Sequence, residues 1–140
     1  MAYWLFKQEP ESYSISRLQA DGTTLWDGVT NAQALMFLRQ CAKGDTAFFY
    51  HTGDEKAVVG LMTITGPAVP DPNETNEKLV AVPVKFKAVL PKPVTLATIK
   101  ADPAFAEWHL VKNSRLSVMP CPGPLAARVL AYSAGELPAA

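Results

Sequence analysis

The stretch "TTLWDGVTNAQALMFLRQCAKGD", from Thr23 to Asp45, contains an amphipathic helix with an unusual approach to its start. Apolar residues recur at helical spacing in its second half and predict a face that packs on the core: Ala34, Phe37, Leu38 and Cys41. The segment "TNAQ" (Thr30–Gln33) has the form of a capping box, so the helix is predicted to begin near Ala32.

Trp26, Asp27 and Gly28 come immediately before this helix. A tryptophan ring offers an apolar body with a polar edge, and a glycine lets the backbone approach another group closely. These three residues could form one wall of a ligand site, or they could simply shape the backbone as it enters the helix. Both interpretations stay open for Trp26, whereas Trp4 and Trp108 are predicted to fill the core.

The flanking segments predict a mixed fold. "YWLFK" after Ala2 is typical of a strand, and "DTAFFYHT" and "AVVGLMTI" on either side of "GDEK" (Gly53–Lys56) predict a β-hairpin. "LVAVPVKFKAVL" predicts a strand in which Pro83 marks an edge or a bulge. Helices are predicted after Ser14 and over "PGPLAARVLAYSAG". The expectation is one α+β domain over residues 1–140, a small and partly open β-barrel with short helices packed on it.

Composition narrows the class of protein. The chain has 140 residues, of which 49% are hydrophobic and 19% charged, so a folded domain is expected rather than disorder. Net charge is zero, which gives no case for bulk polyanion binding. Cys41 and Cys121 lack metal-binding spacing and are interpreted as free thiols. With no signal peptide and no apolar run of membrane-spanning length, a cytoplasmic location without membrane contact is expected.

Motifs for common catalytic chemistry are missing. His51 and His109 are the only histidines and have no partner at ligand spacing, so no metal is expected. Neither a glycine-rich phosphate loop nor a nucleophile elbow is present. A lysine–glutamate pair beside a hydroxyl, here Lys7, Glu9 and Thr52, is the residue combination that could serve a small hydrolase.

Several motifs follow one another in a characteristic order: "YWLFKQEPESYS", "WDGVTNAQA", "GDTAFFYHT", "VVGLM", "PDPNE", "PVTLATIK" and "LVKNSRLSVMP". This ordered set resembles the EVE domain family, which includes many small bacterial proteins, over nearly the whole chain. The resemblance implies a PUA-like fold, a twisted barrel-like sheet surrounded by helices. It further implies a non-enzymatic reader of modified bases in DNA or RNA, which holds a flipped nucleobase in an aromatic-walled pocket without a cofactor.

The resemblance also implies site residues. Carried over by motif, the residues lining the pocket would be Trp26, Asn31, His51, Thr52, Ser117 and Val118. Lys7 and Arg115 would lie near the phosphates of the nucleic acid. Some PUA-like relatives are instead amidohydrolases of modified nucleosides, so the hydrolase combination named above remains the alternative.

The chain departs from the family pattern at the helix start. Thr30, Ala32, Leu35 and Met36 stand where the family usually has Arg, Tyr, Arg and Asn. Two cations are therefore missing from the expected nucleic-acid face, and weak nucleic-acid binding is expected. Because Leu35 and Met36 fall outside the apolar stripe, they are predicted to point to solvent, where they could form a surface for a protein partner or a second copy.

Overall fold

The computed structural model describes residues 1–139 and contains seven strands and five short helices within them. The strands are β1 (Tyr3–Gln8), β2 (Thr23–Trp26), β3 (Thr46–His51), β4 (Ala57–Ile64), β5 (Val69–Pro70), β6 (Val80–Thr95) and β7 (Val118–Cys121). The helices are α1 (Ile15–Asp21), α2 (Ala32–Gln40), α3 (Leu96–Ala101), α4 (His109–Lys112) and α5 (Gly123–Ser133), with a 3₁₀ turn at Pro103–Phe105.

The strands form one sheet in the order β2-β6-β4-β3-β1-β7, and β5 pairs with β6 beside this path. β1 runs parallel to β3 and antiparallel to β7. The mixed α+β fold with a twisted sheet and surrounding helices is confirmed. β2 and β7 end the path without pairing to each other, so the sheet is not a closed barrel, which agrees with the partly open barrel expected from the sequence.

Local signals in the sequence account for most elements. Ser14 caps α1 by accepting a hydrogen bond from the Arg17 N–H at 3.1 Å, and β3 and β4 form the predicted hairpin. Pro83 does not lie at an edge strand: it sits inside β6, opposite Leu25 of β2. The two register shifts between β4 and β6 occur elsewhere, nearer the hairpin.

The core shows that one expectation about α2 was wrong. Leu35 is only 4% exposed and belongs to the core, whereas Met36 is 44% exposed. The apolar face of α2 is therefore wider than the stripe read from the sequence, because a helix packed on a sheet buries more than one row of side chains. With Leu35 buried, the predicted Leu35/Met36 partner surface is reduced to one exposed methionine.

The two cysteines and the lengths of the helices complete the description of the fold. Cys41 and Cys121 are free and buried, and burial raises the pKa of each thiol to about 12, which makes them poor nucleophiles. Among residues 1–139, no helix combines the length and the apolar character needed to cross a membrane.

Candidate functional site

A cavity of about 260 Å³ opens beside Trp26, between the end of β1, the approach to α1, and β2. Its lining consists of Gln8, Ser12, Tyr13, Thr24, Leu25, Trp26 and Asp27. The lining combines two aromatic rings with an amide, hydroxyls and one carboxylate. Gln8, Ser12, Tyr13, Thr24 and Asp27 all carry polar groups, so this cavity is more polar than most small-molecule sites.

Trp26 belongs to both the core and the cavity. It is only 4% exposed, and its ring centroid lies 5.3 Å from those of Phe6 and Phe49. Trp26 therefore packs in the core and also borders the cavity. Most of the indole is packed, so what reaches the cavity is a small part of the side chain and not a free aromatic face.

The indole N–H distinguishes Trp26 from the other tryptophans. Trp4 donates its indole N–H to Asp45 at 2.9 Å, and Trp108 donates to the Pro120 carbonyl at 2.9 Å. Over residues 1–139, the Trp26 N–H has no acceptor, yet no fully enclosed side-chain nitrogen or oxygen in this range lacks a partner. The Trp26 N–H must therefore retain contact with solvent, and the cavity is the space that Trp26 lines.

A second loop fixes the backbone beside Trp26. Gly28 has a φ of 74°, a conformation that glycine adopts readily, and its N–H donates to the buried carboxylate of Asp71 at 3.1 Å. Asp71 also accepts from the Asn73 N–H at 2.9 Å. The Asn73 side chain in turn donates to Asp27 at 2.8 Å. The "PDPN" segment, which reads as a plain surface loop in the sequence, thus holds Asp27 at the cavity.

The side chains that line the cavity carry a net negative charge. Asp27 is the one charged residue in its lining, and its described hydrogen-bond partner, Asn73, is neutral. The exposed Glu9 lies in the turn that leads from Gln8 to the lining residues of the next segment. The nearest cation on α1, Arg17, is paired with Asp21 at 3.4 Å and lies over the Tyr13 ring. No cation therefore offsets Asp27 inside the cavity.

His51 was predicted to line the pocket, but it is not among the residues that line the cavity beside Trp26. It is 6% exposed, and both ring nitrogens are engaged. Nε2 accepts from the Ile15 N–H at 3.1 Å, and Nδ1 lies 2.7 Å from a Glu55 carboxylate oxygen. The Ile15 bond assigns the proton to Nδ1, so His51 ties the start of α1 to the hairpin loop.

Asn31 and Thr52 occupy other positions near the site. Asn31 caps α2, accepting from the Ala34 N–H at 3.0 Å, so the helix cap is Asn31 and not Thr30. The Thr52 N–H donates to the Gln8 carbonyl at 3.0 Å, which places Thr52 next to a lining residue although it does not line the cavity itself.

Val118 begins β7, which pairs with β1, and Ser117 immediately precedes it. The Ser117 carbonyl accepts from the Lys7 N–H at 2.9 Å. Val118 pairs with Phe6 and has 0% exposure, so its side chain is part of the core. Neither residue lines the cavity beside Trp26.

Lys7 leaves β1 on the face opposite to Phe6, because successive residues of a strand point to opposite sides. Its ammonium donates to the Ser114 carbonyl at 3.0 Å and lies 5.7 Å from the Tyr50 ring centroid. Burial lowers the pKa of Lys7. Within the described chain no hydrogen bond or ion pair joins Lys7 to Thr52 or Glu9.

Arg115, the other residue expected near phosphates, is exposed in the turn before β7. The cavity instead gains Gln8, Tyr13 and Thr24, which sequence reasoning did not place there. Alternation along β1 and β2 carries a partial signal for two of them, since Gln8 shares a face with Phe6, and Thr24 with Trp26. No group of three or more metal-binding side chains is found within residues 1–139.

Comparison with known proteins places this geometry in context. The rat thymocyte nuclear protein 1 is 38% identical over an alignment that covers 84% of this chain and 67% of the rat protein. A protein from Rhodopseudomonas palustris, solved by NMR, shares 38% identity at a TM-score of 0.89 and covers 99% of this chain and 96% of its own.

The crystal structure of human THYN1 protein in complex with 5-methylcytosine-containing DNA is also similar. It has a TM-score of 0.87 at 34% identity and covers 95% of this chain and 98% of that one. The chain spans 56% of the full human thymocyte nuclear protein 1. Residues 2–132 match the EVE domain, in agreement with the order of motifs in the sequence. The chain belongs to the EVE domain family.

Proposed function

We propose that this protein is a non-enzymatic module that binds a modified nucleobase of DNA or RNA in the cavity beside Trp26. The observation that carries the proposal is the Trp26 indole N–H, which is the tryptophan donor left without a partner among residues 1–139 and belongs to a residue that lines the cavity. The similar human THYN1 structure, solved with 5-methylcytosine-containing DNA, supports a modified base as the ligand.

The size of the cavity agrees with this ligand. Its volume of about 260 Å³ lies below the ~300–1,000 Å³ that is common for small-molecule sites. A single base fits such a space better than a whole nucleotide. The base would have to leave the helical stack, which costs a few kcal/mol in a duplex and less in a single strand.

The test is a binding titration with labelled single-stranded oligonucleotides that carry one 5-methylcytosine or one cytosine at the same position. One methyl group in an apolar contact is worth ~1–3 kcal/mol, so we expect about tenfold tighter binding of the methylated strand. Equal affinity for both strands would contradict the proposal. Mass spectrometry of the recovered oligonucleotide should show the modified base unchanged, and a lost amino or methyl group would indicate an enzyme.

A further inference from the structure

We propose that Asp27 and Trp26 make the cavity selective for bases whose Watson–Crick edge has an amino group beside an unprotonated ring nitrogen, namely cytosine and adenine types, over thymine and uracil types. This inference rests on the proposed function, since it concerns the same cavity. It assigns to two consecutive residues the choice between classes of base, which is separate from the detection of a modification.

Asp27 supplies an acceptor with spare capacity. A carboxylate can only accept hydrogen bonds, and one of its oxygens, Oδ2, already accepts from Asn73 at 2.8 Å. The other oxygen, Oδ1, receives no hydrogen bond from residues 1–139. Because Asp27 lines the cavity, this oxygen is available to a donor on the ligand.

Trp26 supplies the complementary donor. The indole nitrogen can only donate, and it lacks an acceptor within the described chain although the residue is 96% buried, being 4% exposed. Because this N–H keeps contact with solvent, a ligand acceptor that reaches it would replace a water contact with a hydrogen bond. Two adjacent lining residues, Trp26 and the exposed Asp27, therefore offer a group that can only donate and a group that can only accept.

This pair matches the edge of cytosine or adenine. Each of these bases has an amino group that donates beside a ring nitrogen that accepts. Thymine and uracil reverse the pattern along the same edge, so a ring N–H would meet the indole N–H and a carbonyl would meet the carboxylate. Sites built for hydrogen bonding strongly reject analogues that leave their buried polar groups unpaired.

The remaining polar groups do not decide between the two classes. Gln8 can turn either its amide oxygen or its NH₂ group to a ligand, and the hydroxyls of Ser12, Thr24 and Tyr13 can donate or accept. These groups adapt to either pattern. Selection between amino and oxo bases is therefore assigned to the Asp27 carboxylate, which can only accept, and the Trp26 indole N–H, which can only donate.

The experiment compares 5-methylcytosine with thymine in one single-stranded oligonucleotide. Both bases carry the same methyl group, so they differ only in the hydrogen-bonding pattern of the edge that has the amino or carbonyl group. We expect wild type to bind the 5-methylcytosine strand at least about tenfold more tightly than the thymine strand. Asp27→Asn should bring the two affinities to within about twofold, because an amide can accept from Asn73 or donate to a carbonyl oxygen.

Asp54→Asn is the matched control, since it removes the same charge from an exposed residue of the hairpin loop that does not line this cavity. It should keep the wild-type discrimination. If it erases discrimination as Asp27→Asn does, the effect is one of overall charge and the inference is overturned. Trp26→Phe provides a second variant, which should weaken binding of 5-methylcytosine and leave that of thymine unchanged.

The possible failures can be told apart. If wild type binds 5-methylcytosine and thymine equally but still prefers 5-methylcytosine to cytosine, the selection by Asp27 and Trp26 is wrong and the proposed function stands. If no strand binds more tightly than the one with plain cytosine, the proposed function itself is contradicted.

Discussion

Trp26 should carry stability and binding through different parts of one side chain. Its ring is 4% exposed and packs at 5.3 Å on Phe6 and on Phe49. Truncating a buried Trp to Ala costs ~3–5 kcal/mol, and within that sum two aromatic contacts contribute ~0.5–1.5 kcal/mol each. We expect Trp26→Ala to lower the free energy of unfolding by that amount. Trp26→Phe, which retains most of the apolar packing, should cost less than ~1.5 kcal/mol.

The assay is urea unfolding followed by far-ultraviolet circular dichroism, with the midpoint and the slope fitted separately. An unchanged slope with a lower midpoint identifies a loss of native stability. The affinity of each folded variant for the methylated oligonucleotide is then measured by titration without urea. The decisive variant is Trp26→Phe, since it should stay folded and lose affinity. An unfolding free energy in Trp26→Ala equal to that of wild type would refute the assignment of the ring to the core.

The remaining predictions concern α2, an ion pair and the phosphates. Leu35→Arg should cost more than ~3 kcal/mol because it buries a charge, whereas Met36→Arg should change stability by less than ~0.5 kcal/mol in the same urea assay. Hydrogen bonds from Arg128 and Tyr132 lower the pKa of Asp102 from 3.8 to about 2, so its stabilising effect is present above about pH 4 and is lost as the pH falls toward 2. Asp102→Asn should flatten the pH dependence of the urea midpoint in that window. Thr30→Arg combined with Met36→Arg should steepen the slope of log K against log salt by ~0.7 per new phosphate contact on single strands, equally for modified and plain strands.

The fold was largely predictable because its signals are local. The capping serine of α1, the hairpin at Gly53–Lys56 and the period of α2 each depend on a few neighbouring residues. A partly open barrel was expected, but local signals do not show where the sheet remains open. That depends on whether β2 and β7 meet, which is a relation between strands more than 90 residues apart, and here they do not pair.

The candidate site was predictable only in part. Trp26 was identified from its position before α2, but the loop that holds its neighbours was not, because Asp71 and Asp27 are 44 positions apart and only the fold brings their segments together. For His51, the sequence motif did not reveal the contacts that the side chain makes. Its motif suggested a pocket residue, whereas the structure uses both of its ring nitrogens for contacts within the fold.

Recognition of a base and attraction of the phosphates are separated in this chain. The cavity contains a carboxylate and no cation, and Lys7 projects from the other face of the sheet. The resemblance to the EVE domain family implies an arginine at the position of the exposed Thr30, so that cation is missing as well. Phosphate contacts supply affinity without sequence information, whereas contacts to base edges supply discrimination. Loss of the arginine should therefore weaken binding to all strands alike and leave the choice of base with Trp26 and Asp27.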